Sequence, residues 1–95
     1  MIMVMVRVKT PLDEEEMLAI AHERAPQFRA LPGLIQKYYV DYPEPGTYGG
    51  VYVFDSPESV AAYRSSDLAK TIAAAYKATE PPVVEVIDVM FALRE

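Results

Sequence analysis

Apolar and polar residues alternate from the start of the chain. Ile2, Val4, Val6 and Val8 share one parity and Met3, Met5, Arg7 and Lys9 the other, the period of a strand with one fully apolar face. Thr10-Pro11-Leu12-Asp13 then reads as a helix start, with Thr10 as N-cap and Pro11 at the first helical position. The acids Asp13 to Glu16 suit the positive end of a helix dipole, a solvated first turn rather than a metal-binding cluster. Met17, Ala21, Ala25 and Phe28 recur at helical spacing and form the buried stripe. Pro26 predicts a kink that frees a carbonyl near His22, and Leu31-Pro32-Gly33 ends the element.

The second half repeats the plan. Leu34 to Tyr42 and Tyr48 to Phe54 read as strands joined by the turn residues Pro43 to Thr47, a hairpin whose Gly49-Gly50 pair predicts a bulge or a close backbone approach. Ser56-Pro57 repeats the Thr10-Pro11 device, and the helix after it carries Val60 and Tyr63. Ser66-Asp67 reads as a break or second cap, Leu68, Ile72 and Tyr76 continue the stripe, and Pro81-Pro82 stops it. Val83 to Leu93 reads as the last strand. The order βαββαβ predicts one domain over residues 1–95, an α+β ferredoxin-like sandwich whose antiparallel sheet carries both helices on one face.

That plan leaves a sheet face without helices. Met3, Met5, Tyr52, Phe54 and other large apolar groups fall on the remaining parity, and a homodimer through the sheet face is the simplest cover for it. Aligning the two half-repeats instead turns Tyr52 and Phe54 toward the helices, so their parity stays open. Composition sharpens the same point: 52% of the 95 residues are hydrophobic, a share a lone small subunit has trouble hiding. A formal charge of −5 argues against a nucleic-acid partner. The absence of cysteine excludes disulfides, thiolate catalysis and Cys-based metal sites, and one histidine excludes the common multi-His sites. No apolar run reaches the roughly 20 residues of a membrane span and no signal-peptide pattern shows, so a soluble cytoplasmic protein is expected.

Pro32-Gly33-Leu34-Ile35 with Lys37 and Tyr39, then Gly49 to Ser56 with Glu58, Ser59 and Tyr63, resemble the YdhR-like monooxygenase family of the dimeric α/β-barrel superfamily. The resemblance implies two sheets packed face to face, with a pocket between sheet and helices in each subunit. The cofactor-free oxygenases that the chain resembles act on phenols, hydroquinones or anthrone-type rings, the deprotonated substrate supplying electrons to O₂. Such chemistry needs a dry apolar pocket, a proton acceptor and donors or cations for the oxyanion. No cofactor and no metal are therefore expected, and no dinucleotide fingerprint or P-loop is present. The haem-degrading branch is a poor fit: Tyr63 stands at its Trp position, its His position falls near Ala73, and the first strand has no Asn.

On this resemblance the candidate catalytic residues are Lys37, Tyr63 and Arg7. Lys37 lies mid-strand among apolar and aromatic neighbours, where it holds a phenolate oxygen or, alternatively, points to solvent as an edge-strand lysine. Arg7 is a second cation or the partner of Glu85 or Asp88 on a neighbouring strand. Tyr63 is the pocket phenol or an ordinary packing residue. Tyr39, Tyr52, Phe54 and Met5 are the candidate substrate-binding residues, and His22 is expected at the boundary or surface. The reading is a monooxygenase for a small aromatic molecule; the alternative is a non-catalytic binding or dimerisation module of the same fold.

Overall fold

The computed structural model describes residues 1–94, so the domain read over 1–95 is seen up to Arg94. The elements are β1 (Ile2–Lys9), α1 (Glu14–Arg29), β2 (Leu34–Asp41), β3 (Thr47–Phe54), α2 (Pro57–Arg64), the one-turn helices α3 (Asp67–Lys70) and α4 (Ile72–Ala75), and β4 (Val83–Asp88). The strands make one antiparallel sheet in the order β2-β3-β1-β4. This is the ferredoxin-like α+β sandwich that the element order predicts.

Ile2, Val4, Val6 and Val8 are all buried, and in register they meet Phe54, Tyr52, Gly50 and Tyr48 of β3. Cross-strand partners share a face, so Tyr52 and Phe54 point toward the helices. Their grouping with Met3 and Met5 is thereby corrected, and the half-repeat alignment gives the right parity. Phe28 of α1 and Tyr63 of α2 complete an aromatic core with them, ring centroids 5.3 to 6.2 Å apart. On the opposite face Met3, Met5, Val51 and Val53 are half-buried, while Tyr38 and Ile87 stand exposed.

Several local expectations change. The N-cap of α1 is Asp13, not Thr10: its carboxylate accepts from the Glu16 amide at 2.8 Å, and Glu16 accepts from the Asp13 amide at 3.2 Å. That reciprocal box satisfies two donors at once. The Thr10 hydroxyl instead donates to the Tyr76 carbonyl at 2.6 Å, tying the end of β1 to the end of α4. Ser56 and Ser66 do cap α2 and α3. Helix α1 continues through Pro26 to Arg29, because a proline in the last turns leaves only the His22 carbonyl without its helical donor. The register irregularity lies between Leu34 and Gln36 rather than at the paired glycines. Strand β4 stops at Asp88, opposite Ile2 at the start of β1, rather than running on to Leu93. Met90, Phe91 and Leu93 are 94%, 76% and 85% exposed. Among the described residues no helix is long and apolar enough to cross a membrane.

Candidate active site

The site begins with a lysine that has no business inside an apolar layer. Lys37 sits on the edge strand β2, opposite Tyr52 of β3, and that register turns its side chain under α1 rather than out to solvent. Its Nζ lies 3.3 Å from the centroid of the Phe28 ring, 4.3 Å from that of Tyr39 and 4.6 Å from that of Tyr52. Gly50 makes the space: a Cβ there would stand 3.2 Å from Lys37 Cε and 2.9 Å from Tyr52 Cε1. The close backbone approach expected of the glycine pair is at Gly49, where a Cβ would run into the Val6 carbonyl, while Gly50 leaves room for the Lys37 and Tyr52 side chains.

Two effects oppose each other at Nζ. The ring faces favour the ammonium by ~2 kcal/mol when desolvated. Burial, aided by the positive charge of Arg24, favours the neutral amine and brings the group from 10.5 down to about 7. That fall corresponds to roughly 5 kcal/mol, so burial wins. Among the described residues Lys37 has no carboxylate partner; the ion pairs there belong to Lys9, with Glu44 at 3.2 Å and Glu80 at 3.7 Å.

Lys37 and Tyr39 open onto a narrow cavity of about 30 Å³ between the sheet and the helices. Val6, Val8, Met17 and Ile72 form its apolar wall, and Tyr48, Tyr52 and Tyr76 bring phenol rings to it. Burial raises the Tyr39 and Tyr52 hydroxyls, and lifts Tyr76 to about 12, so these phenols stay protonated at neutral pH. No carboxylate lines the cavity among the described residues. The arrangement offers a free amine, protonated phenols and a dry wall, which suits taking a proton from a weak acid and holding the anion left behind.

The other candidate residues separate. Tyr63 shares a 3.2 Å hydroxyl–hydroxyl hydrogen bond with Tyr52, and burial is the main cause of its raised pKa. It touches the cavity through Tyr52, its own ring lining a neighbouring pocket toward β4. Phe54 is fully buried in the aromatic core beside them. Met5 and Arg7 have the opposite parity and stand on the face without helices, away from the cavity. Arg7 meets neither Glu85 nor Asp88; its register partners are Gly49 and Val83, and its guanidinium covers the Tyr42 ring at 4.4 Å. His22 is exposed on α1.

Sequence reasoning missed Arg24. Its guanidinium donates to the Leu68 carbonyl at 2.8 Å, binding α1 to α3, while its Nε is buried without a partner. The signal was present, since Arg24 falls between Ala21 and Phe28 on the apolar stripe, where a charge needs a reason.

The chain is thus a ferredoxin-like α+β domain with a lysine-bearing cavity between its sheet and helices. Solved structures share that architecture. One from Caulobacter crescentus, described as a "putative antibiotic biosynthesis monooxygenase", has a TM-score of 0.76 at 21% identity over 95% of this chain and 90% of its own. SnoaB, a cofactor-independent oxygenase from Streptomyces nogalater, has a TM-score of 0.76 at 14% identity over 99% and 97% of the two chains. A protein of unknown function from Nitrosomonas europaea has a TM-score of 0.80 at 19% identity over 96% and 90%. No curated protein matches the chain significantly. Residues 1–93 match the family described as "Putative mono-oxygenase ydhR", and the chain belongs to that family.

Proposed function

We propose that the protein is a homodimeric, cofactor-independent monooxygenase for a small electron-rich ring: a quinol, phenol or anthrone. The observation that carries this reading is the Lys37 amine, drawn toward neutrality and facing an apolar cavity beside the ring of Tyr39. The amine takes the acidic proton of the substrate, and the resulting ammonium holds the oxyanion. The electron-rich anion then reduces O₂. For an anthrone-type methylene the balance closes without a further reductant: the CH₂ carbon becomes a carbonyl, and its two hydrogens leave with the second oxygen atom as water. Tyr52 packs against the substrate, and Tyr63 positions Tyr52. The second subunit covers the apolar sheet face around Met5 and Val51, opposite the cavity.

O₂ consumption with a hydroquinone and anthrone panel tests the activity. Wild-type protein should consume O₂ with at least one member. Lys37→Ala should lose roughly 10²- to 10⁴-fold, the usual worth of a general base, and Tyr63→Phe should lose less. Uptake by the wild type no faster than in a protein-free control would overturn the oxygenase reading for those substrates. Binding without uptake would identify a binding module instead.

A further inference from the structure

The lysine that faces the cavity is also a nucleophile without a competing partner. A primary amine condenses with carbonyl compounds when apolar neighbours disfavour its charge and no carboxylate holds it as an ammonium. Among the described residues Lys37 meets both conditions. Its Nζ is surrounded by the rings of Phe28, Tyr39 and Tyr52, and the cavity that it lines is walled by Val6, Val8, Met17 and Ile72. A second cleft, between the end of α1 and β2, shares Lys37 and Tyr39 with the first, so the amine stands between the interior cavity and the surface.

We propose that Lys37 is a carbonyl-capture site that forms a reversible imine with small aromatic aldehydes. The amine lone pair adds to the aldehyde carbon, and a proton passes from nitrogen to the former carbonyl oxygen to give a carbinolamine. The C–O bond then breaks, the nitrogen lone pair closes the C=N bond, and the two amine hydrogens leave with the oxygen as water. No oxidant or cofactor is required. The aromatic class follows from the outer cleft, roomier than the inner cavity, where Ala25, Phe28, Leu34, Ile35 and the Tyr39 ring stand beside the amine and accept a flat apolar ring.

The groups facing the amine set its pH behaviour. Arg24 from α1 opposes protonation, while Tyr39 on its own strand, Tyr52 on β3 and Tyr76 after α4 present phenols that are neutral at physiological pH. Tyr63 of α2 acts through the Tyr52 hydroxyl. Drawn down from 10.5 by burial and Arg24, the amine has far more free base at neutral pH than an ordinary lysine, for which the fraction is under about one in a thousand. Lys9, by contrast, is held protonated by Glu44 and Glu80.

The test is reductive trapping. The full chain is incubated anaerobically at pH 7 with 4-hydroxybenzaldehyde and cyanoborohydride, and the secondary amines are located by peptide mass mapping. Lys37 should carry at least tenfold more label than Lys9, Lys70 or Lys77. Its labelling rate should level off above pH 7 to 8, while theirs keep rising toward pH 9. Lys37→Met should lose the dominant label. Comparable labelling of all four lysines, or an unlabelled Lys37, overturns the proposal. The comparison within wild-type protein stands even if the variant fails to fold. With O₂ absent throughout, the outcome is also independent of any oxygenase activity.

Discussion

At the scale of residues, the cost of Lys37 should be visible in stability. Its pKa is 10.5 when unfolded and about 7 when folded. Between those values the unfolded chain binds more protons, so folding becomes more favourable as pH rises through that interval. The penalty is fully present below pH 7 and relieved toward pH 10. We expect Lys37→Met, which fits the same channel without a charge, to be more stable than wild type at pH 6 by a few kcal/mol. The advantage should shrink at pH 9. Urea denaturation at the two pH values measures both, and an equal difference at each would contradict the depressed pKa. The importance of Lys37 could be read from the sequence, since a charge flanked by Gln36, Tyr38 and Tyr39 invites a question. Its direction could not. That depends on the irregularity between Leu34 and Gln36, which sets the face for the rest of β2 and leaves no signature in the residue types.

At the scale of elements, α1 is fastened at its start by the Asp13–Glu16 box and at its middle by Arg24 to α3. Asp13→Ala should destabilise the protein by ~1 kcal/mol, seen as a lower urea midpoint with an unchanged slope. All four strands and the two long helices were legible in outline, β1 from its alternation and α1 from its stripe spacing, both consequences of one-sided burial. Their ends were less so. Thr10-Pro11 and Ser56-Pro57 look alike as strings, yet only Ser56 caps a helix. The difference lies in Glu16, which lets Asp13 form a two-way cap and releases the Thr10 hydroxyl to Tyr76. The stop of β4 at Asp88 was likewise hidden, since residues 89–93 are as apolar as the strand before them.

At the scale of the molecule, most of the excess of apolar residues up to the end of β4 falls into two populations. One is the core under the helices; the other crosses the open sheet face, where Tyr38, Val51 and Met5 lie side by side on three adjacent strands. We expect wild-type protein to sediment as a dimer. Val51→Glu, at the centre of that row, should weaken the association at least tenfold, with the far-UV spectrum unchanged. Sedimentation velocity across a concentration series decides this, and a monomeric wild type would rule out the sheet-on-sheet assembly. The cavity itself was only partly legible. Lys37, Tyr39 and Tyr52 line one cavity and Tyr63 a neighbouring pocket, whereas Arg7 and Met5 fall on the far face, because a strand sends neighbouring residues to opposite sides.

The break at Thr71 bears on how quickly anything leaves the cavity. Ile72 and Tyr76, two of its lining residues, are carried by a segment of single turns instead of one continuous helix. Short turns open locally at far lower free energy than a sheet separates. The Thr10–Tyr76 hydrogen bond is one of the latches on that segment. Residence time thus becomes a property of a few residues at the roof, adjustable without touching the strands that hold the lysine.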